Sequence, residues 1–435
     1  MPSPQKTAHN WLARLGRALN PEAGQSLERL QEVQASLDRW HRARAADADD
    51  HERRMRALEH AVDSLMRDTA GAHRDLVRDV AKLRRLAARN RDDLVRVSRL
   101  AAVERRGLDV ERRTVDHLSR LARTRLPILV GPWTGEVGFE LLYWIPFLRW
   151  VRDAFPIDPD RLVVLSRGGV GAWYEDISRH YEEVFDFTSP DEFRHATEQR
   201  RKQQRIGAFD RRILKAVARR RGFHQVHLLH PALMYALFKA FWRYDATIKR
   251  LDEFARFRPL ADSSSSHVAV DALPADYIAV RFYFSDCFPD TPENRQFAAR
   301  LITALSARTH VVLLNNDILV DDHRDFSPGP DTRIRVASAH MQPATNLAVQ
   351  TDVIRRARAF VGTYGGYSYL APLCGVNAIA FHSRQSFKQH HLEVAQRMLR
   401  RVGGAGLVVV DTARGDALAD ALAGLAPAAV SSTLE

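Results

Sequence analysis

Cysteine is scarce in this sequence, and long hydrophobic runs are absent. The only two cysteines among 435 residues, Cys287 and Cys374, have neither a CxxC neighbour nor a histidine at metal-ligand spacing. These shortages argue against a disulfide framework and a zinc site, and they favour a reduced, cytosolic (cytoplasmic) protein without a metal. No run reaches the ~18 apolar residues of a membrane span, and the chain's start lacks the apolar core of a signal peptide. We therefore expect a protein that is not exported by that route.

Proline is missing between Gln25 and Leu126, and glycine is rare there. Leucine and valine recur at spacings of three and four residues, which favours long helices that pair through an apolar seam. We predict an α-helical coiled-coil region over residues 1–125 and a homo-oligomer formed through it. Most of the net charge of +12 falls in this region. Its arginines alternate with acidic residues, as on a solvated coiled-coil face, so we expect no binding to nucleic acid.

A short basic amphipathic segment precedes the long helices. Trp11, Leu12, Leu15 and Leu19 fall on one helical face beside several basic residues. Two interpretations stay open: the apolar face packs against protein, or it rests on anionic lipid. The second would make the protein peripheral at the inner face of the cytoplasmic membrane.

The pattern changes at Leu126, where strand-like runs begin to alternate with helical segments. LPILVG, RLVVLSRGG and HQVHLLHP are typical of buried strands in a first half, and YIAVRFYF, HVVLLNND, AFVGTYG and NAIAFHS in a second. The segment WYEDISRHYEEVFDF (173–187) has helical spacing and predicts a second helix that runs toward a short third strand. Such alternation indicates parallel sheets of the Rossmann type. We predict an α/β protein with an N-terminal Rossmann-like domain at 126–260 and a C-terminal one at 261–435, joined by the serine-rich ADSSSSHV.

Each half carries a glycine loop between a strand and a helix. The first loop is GPWTGEVG (131–138), and the second lies in AFVGTYGGYSYLAPLCG (359–375). Glycine lets the backbone approach a ligand, and a helix start attracts phosphate. The alternative is that the glycines only make tight turns. We favour the ligand because both loops are expected to face one cleft between the halves. The candidate binding residues are Gly135, Gly138, Gly362, Thr363, Gly365, Gly366 and Ser368.

The order of elements from Leu126 to about Leu425 resembles the GT-B fold of nucleotide-sugar-dependent glycosyltransferases. The second half is similar in pattern to lipopolysaccharide heptosyltransferases and fucosyltransferases, through the position of GPWTGEVGFELLYW and VGTYGGYSYLAP in the fold. The resemblance implies that the second half holds the nucleotide diphosphate on its glycine turn, with a basic residue after its first strand, here Arg281, assisting. It also implies that the first half faces the acceptor and that a carboxylate after its first strand is the base.

Arg281 is the candidate for stabilising an anionic leaving group, because no DxD-like triad occurs in a suitable loop for a metal. It lies inside an apolar strand, where an unpaired charge would be costly. Either it faces a bound anion at the strand's end, or it forms an ion pair with Asp286, Asp290 or Glu293.

Two carboxylates flank Gly138 and are candidates for the catalytic base that deprotonates the acceptor hydroxyl. Glu136 lies in the loop and can point into the cleft, whereas Glu140 lies beneath an apolar helix. Either can instead interact with the start of its own helix. We favour Glu136 and keep Glu140 as the second candidate.

Three further polar residues are candidates with structural alternatives. His230 ends the HLLH strand and is either an alternative base or a structural hydrogen-bonding residue. Asn315 ends another strand and could bind ribose or a base edge, or form a turn. Tyr364 could stack on a base or a sugar, or pack in the core.

The resemblance implies a hexosyl- or deoxyhexosyltransferase that moves a sugar from a nucleotide-sugar donor to a glycan or glycolipid acceptor in surface polysaccharide assembly. We expect it to need no metal or cofactor. The alternative is a non-catalytic coiled-coil scaffold that binds a nucleotide sugar.

Overall fold

The computed structural model describes residues 21–65, 72–198, 203–261, 273–315, 318, 324–329, 331–384 and 389–414. The chain divides between His117 and Leu118 into two compact units. Two long helices, α1 (Pro21–Leu65) and α2 (Ala72–Arg123), begin the described chain. Their pairing as a coiled coil stays a prediction, and the amphipathic segment around Trp11 lies outside the described residues. None of the described helices is both long and apolar enough to cross a membrane.

The first Rossmann-like half contains a four-stranded parallel sheet in the order β3-β2-β1-β4. Its main elements are β1 (Ile128–Val130), α3 (Val137–Phe139), α4 (Ile145–Ala154), β2 (Leu162–Ser166), β3 (His180–Glu183), α5 (Pro190–Glu198), α6 (Ala208–Arg220), β4 (His227–Leu229), α7 (Pro231–Trp242) and α8 (Ile248–Glu253).

The second half contains a six-stranded parallel sheet in the order β12-β11-β10-β5-β7-β9, beside a two-stranded ribbon of β6 and β8. Its main elements are β5 (Tyr277–Arg281), β6 (Tyr283–Phe284), α9 (Pro292–Ser306), β7 (His310–Leu313), β8 (Arg324–Asp325), β9 (Ile334–Val336), α10 (Asn346–Arg356), β10 (Ala359–Thr363), α11 (Gly366–Leu373), β11 (Ala378–His382), α12 (Gln389–Val402) and β12 (Leu407–Asp411).

Both sheets are doubly wound, which confirms the parallel Rossmann-type sheets predicted from the alternation of strands and helices. Counted within its half, the second sheet has the order 3-2-1-4-5-6, and the first sheet has the first four strands of that order. The direction of winding reverses between β1 and β4 in the first half and between β5 and β10 in the second. In open α/β sheets, ligands bind outside the carboxyl ends of the strands at this switch point.

The helix predicted over residues 173–187 is wrong. The segment contains the end of a 3₁₀ turn, then β3, then a second 3₁₀ turn. The helical spacing arose from charged residues that the fold buries in β3. Glu182 forms ion pairs with Arg220 and Arg221, and Glu183 accepts hydrogen bonds from backbone N–H groups. Buried glutamates with partners are compatible with a strand, but their sequence looks like a helix surface.

Each half has its own apolar core between its sheet and a covering helix. In the first half, Leu129 and Val163 of the sheet pack with Ile213 of α6. In the second half, Phe282 packs with Phe297 of α9 in a cluster rich in phenylalanine. Burial of these side chains supplies the main stabilisation of each half.

The two halves belong to the same compact unit and contact each other at several points. The Ala348 N–H donates to the carbonyl of Gly168 at 2.9 Å, and the Leu260 N–H to that of Leu373 at 2.9 Å. The hydroxyl of Tyr143 lies 2.6 Å from Nδ1 of His391 on α12. These contacts fix the carboxyl ends of the two sheets relative to each other.

Candidate active site

The two glycine loops lie in direct backbone contact. A Cβ added to Gly366 would lie 2.8 Å from the nitrogen of Gly138 and 3.0 Å from the Cβ of Val137, so neither glycine tolerates a side chain without movement. One loop follows β1 and the other follows β10, so the contact joins the two switch points. A ligand shared by both loops must lie beside residues 138 and 366, because no space separates them.

The second glycine turn is shaped by its own side chains. A Cβ on Gly362 would overlap the carbonyl of Arg281 in the neighbouring strand β5. The Thr363 hydroxyl accepts from the Tyr283 N–H at 3.0 Å and donates to the Tyr283 carbonyl at 2.9 Å. The Ser368 hydroxyl accepts from the Gly365 N–H and donates to its carbonyl. Both candidate hydroxyls therefore bond within the protein and fix the path of the turn.

Arg281 is buried and forms an ion pair, but with a residue that we did not consider. Its guanidinium donates to both oxygens of Asp325 in β8, at 3.0 and 3.3 Å, and to Oε1 of Gln350 at 2.7 Å. The guanidinium carbon lies 4.3 Å from the centre of the Tyr367 ring. Of the three acidic residues that the sequence offered as alternative partners, Asp290 pairs with Arg295 instead. The pair with Asp325 offsets the charge that Arg281 can offer to a phosphate.

Glu140 lies in a buried network that holds the first glycine loop. Its carboxylate accepts hydrogen bonds from Ser166 at 2.6 Å, Tyr174 at 2.5 Å and Arg167 at 3.2 Å. Arg167 also donates to the carbonyl of Gly135 at 2.5 Å. Burial raises the pKa of Glu140, and the charge of Arg167 opposes that rise. Because its oxygens have internal donors and no exposure, Glu140 is placed to hold the loop rather than to meet an acceptor.

Glu136 is the carboxylate of this loop that reaches solvent. It precedes α3 in extended conformation, and its side chain makes no capping hydrogen bond. Its charge is close enough to Tyr235 to contribute to that residue's raised pKa. Of the two carboxylates predicted from the sequence, Glu136 is exposed and Glu140 is buried.

The three remaining candidates are largely held by internal contacts. His230 caps α7 by accepting the Ala232 N–H at 3.0 Å on Nδ1, and its Nε2 lies 3.5 Å from Asp210. Asn315 donates to the carbonyl of Phe326 at 2.8 Å, next to the ribbon strand that carries Asp325. The ring of Tyr364 is buried edge-on against Tyr369, with the ring centres 5.7 Å apart.

The sequence analysis missed several residues that shape this region. Asp325 stands in a polar stretch without periodicity, and Gln350 lies on the buried face of α10. Trp133 and Tyr235 lie at the switch point of the first half, one in the glycine loop and the other on α7. A signal for Trp133 was present, because a tryptophan within a glycine loop has little reason to be there unless it is buried.

No family model matches the sequence, and no curated protein matches it. Solved structures with a similar chain path include the ADP-heptose lipopolysaccharide heptosyltransferase II of E. coli (12% identity, TM-score 0.39, 68% of this chain and 98% of that one). A glycosyl transferase of family 9 from Veillonella parvula gives 13% identity and a TM-score of 0.35 over 68% of this chain and 89% of that one. UDP-GlcNAc 2-epimerase from Methanocaldococcus jannaschii gives 9% identity and a TM-score of 0.30 over 69% of this chain and 92% of that one. At these values the fold assignment rests on the strand orders themselves.

Proposed function

We propose that this protein is a nucleotide-sugar-dependent glycosyltransferase of the GT-B type. The observation that carries the proposal is the contact between Gly138 and Gly366, which brings the switch points of two doubly wound sheets to one place. The similar solved structures include a heptosyltransferase and a family 9 glycosyl transferase, which is compatible with this proposal.

The second half would bind the nucleotide diphosphate at its glycine turn, residues 362–366, and the first half would bind the acceptor. Glu136 would take the proton of the acceptor hydroxyl, and its oxygen would attack the anomeric carbon of the donor sugar. The bond from that carbon to the diphosphate breaks, and the electron pair leaves with the nucleotide. Arg281 and the N–H groups at the start of α11 would favour the departing negative charge. No step in this scheme needs a metal.

We propose a hexosyl or deoxyhexosyl donor and a glycan or glycolipid acceptor in surface polysaccharide assembly. The helical unit would join copies of the chain, since Met55, Leu86 and Val95 are large apolar residues with 41 to 53% exposure there. A cytoplasmic protein resting on the inner membrane face fits a glycolipid acceptor. Light scattering of the full chain and pelleting with anionic vesicles, with and without residues 1–24, test the last two points.

The decisive experiment incubates the full chain with UDP-, GDP-, CMP- and ADP-sugars and measures free nucleotide, with and without crude acceptor glycans. Release with at least one donor, unchanged by EDTA, is expected. Binding of a nucleotide sugar without any release would contradict the enzymatic function and favour the non-catalytic scaffold. Neither binding nor release would contradict both.

A further inference from the structure

We propose that Tyr235 and Trp133 form, beside Glu136, a binding site for a sugar ring of the acceptor, with the Tyr235 hydroxyl holding the reacting hydroxyl against the Glu136 carboxylate. The proposal rests on the proposed function and names the residues that would bind its acceptor.

Several buried polar atoms of this aromatic cluster have no hydrogen-bond partner among the described residues. The Oη of Tyr235 and the Nε1 of Trp133 are inaccessible to solvent and make no hydrogen bond within the described part of the chain. Native proteins nearly always satisfy such atoms, because leaving them unpaired is costly. Other buried tyrosines follow this rule: Tyr174 donates to Glu140 at 2.5 Å, and Tyr277 donates to the carbonyl of Val353 at 2.7 Å. The Tyr235 hydroxyl is therefore a donor that a ligand oxygen could satisfy.

The aromatic neighbours prevent the Tyr235 ring from turning to find another partner. Its ring lies parallel to that of Trp133, with centres 6.3 Å apart, and packs on Phe139 at 6.1 Å and Trp242 at 5.2 Å. Trp133 follows β1 by three residues, and Tyr235 lies in the second turn of the helix that follows β4. The two unpaired atoms are thus fixed at the switch point of the first sheet.

The charges fit a neutral polyhydroxylated ligand. Burial, followed by the negative charge of Glu136, raises the pKa of Tyr235 well above its ordinary value, so the phenol keeps its proton. Tyr235 can donate to a sugar oxygen while Glu136 accepts from the same hydroxyl. Fixed polar groups within an apolar surround, beside one carboxylate, are the chemistry that orients a sugar hydroxyl.

In the transfer step, the acceptor O–H bond breaks and its proton goes to Glu136. The oxygen forms a bond to the anomeric carbon while the bond from that carbon to the diphosphate breaks. Tyr235 gives up no proton and ends the step as it began, as a hydrogen-bond donor that orients the attacking oxygen.

The test titrates the full chain with the methyl β-glycosides of glucose, galactose, mannose and N-acetylglucosamine and follows tryptophan fluorescence, to which Trp133 contributes. Wild type, Tyr235→Phe and the matched control Tyr277→Phe are compared. At least one glycoside should bind saturably to wild type and to the control. Tyr235→Phe should raise that Kd about tenfold, the loss expected for one hydrogen bond. In thermal unfolding, Tyr277→Phe should have a lower Tm than wild type, whereas the Tm of Tyr235→Phe should be unchanged.

Absence of saturable binding with all four glycosides, or an equal Kd in Tyr235→Phe, would overturn the proposal. A Tm that falls in Tyr235→Phe as it does in the control would also overturn it, since the hydroxyl would then have an internal partner. Nucleotide diphosphate binding, measured separately by calorimetry, should be the same in all three proteins. Its loss from wild type would count against the proposed function and not against the sugar site.

Discussion

The polar side chains at the two switch points differ in whether they have hydrogen-bond partners within the protein. Between β5 and β10, Arg281, Thr363 and Ser368 bond to neighbours within the same half. Between β1 and β4, the hydroxyl of Tyr235 is buried and has no hydrogen-bond partner in the described part of the chain, and Glu136 is exposed. Polar residues beside a glycine turn can therefore serve the turn itself. The state of their hydrogen bonds, rather than their residue type, separates Arg281, Thr363 and Ser368 from Tyr235.

The largest effect should come from removing the carboxylate at the first switch point. We expect Glu136→Gln to lower kcat by about 10²- to 10⁴-fold, the usual loss for a general base, while nucleotide binding is retained. The residue is exposed, so the Tm should not change. Nucleotide release under single-turnover conditions measures the effect, and Glu175→Gln, another exposed glutamate, is the control. Equal rates in Glu136→Gln and wild type would remove Glu136 from the chemistry.

The second effect concerns the buried pair at the other switch point. Asp325→Asn leaves the Arg281 charge without its main partner and should lower the free energy of unfolding by about 3 kcal/mol. Denaturant unfolding measures the loss. Asp290→Asn, which breaks the exposed pair with Arg295, should leave stability unchanged. If Arg281 faces the nucleotide, Asp325→Asn should also tighten diphosphate binding, whereas unchanged affinity would argue for a purely structural arginine.

The third prediction concerns the loop after β2, where backbone N–H groups donate hydrogen bonds to the buried carboxylate of Glu183. Burial raises the pKa of Glu183 from its ordinary 4.5 to about 7, against hydrogen bonds from Gly169 and others. Between pH 4.5 and about 7, Glu183 keeps its proton in the folded chain and has released it in the unfolded chain. Stability from this group is therefore full below pH 4.5 and is lost as pH rises through 7, by at most about 3 kcal/mol. Unfolding at pH 5 and 7 should show that slope in wild type and a smaller one in Glu183→Gln. Equal slopes would place the titration elsewhere.

The smallest effect compares two hydroxyls directly. Thr363→Val strands the N–H and carbonyl of Tyr283 and should cost about 2 kcal/mol of stability, whereas Tyr235→Phe removes a hydroxyl that bonds to nothing in the described chain and should cost none. Both variants are measured by denaturant unfolding. A larger loss in Tyr235→Phe than in Thr363→Val would reverse the comparison.

The sequence predicted the parallel sheets well because their strands are continuous apolar runs bounded by glycine, as in AFVGTYG before α11. It failed over residues 173–187, where Glu182 and Glu183 are buried through partners distant in sequence. At the candidate site it singled out the two glycine loops, which lie in contact, and Glu136, which is exposed; their roles stay predictions. It could not identify Asp325 as the partner of Arg281, because that pairing depends on a ribbon formed only in the folded chain. The periodicity of apolar residues predicts which positions are buried, but it does not predict which charged residues form ion pairs.

The contact of Gly138 with Gly366 also limits how the two halves can move. Two backbones at van der Waals distance cannot approach further, so closure on a substrate cannot be a simple translation of one half toward the other. A rotation of one half about this contact would keep the two backbones at the same distance. A methyl group added at Gly366 would push the two loops apart, because its carbon would lie 2.8 Å from the nitrogen of Gly138.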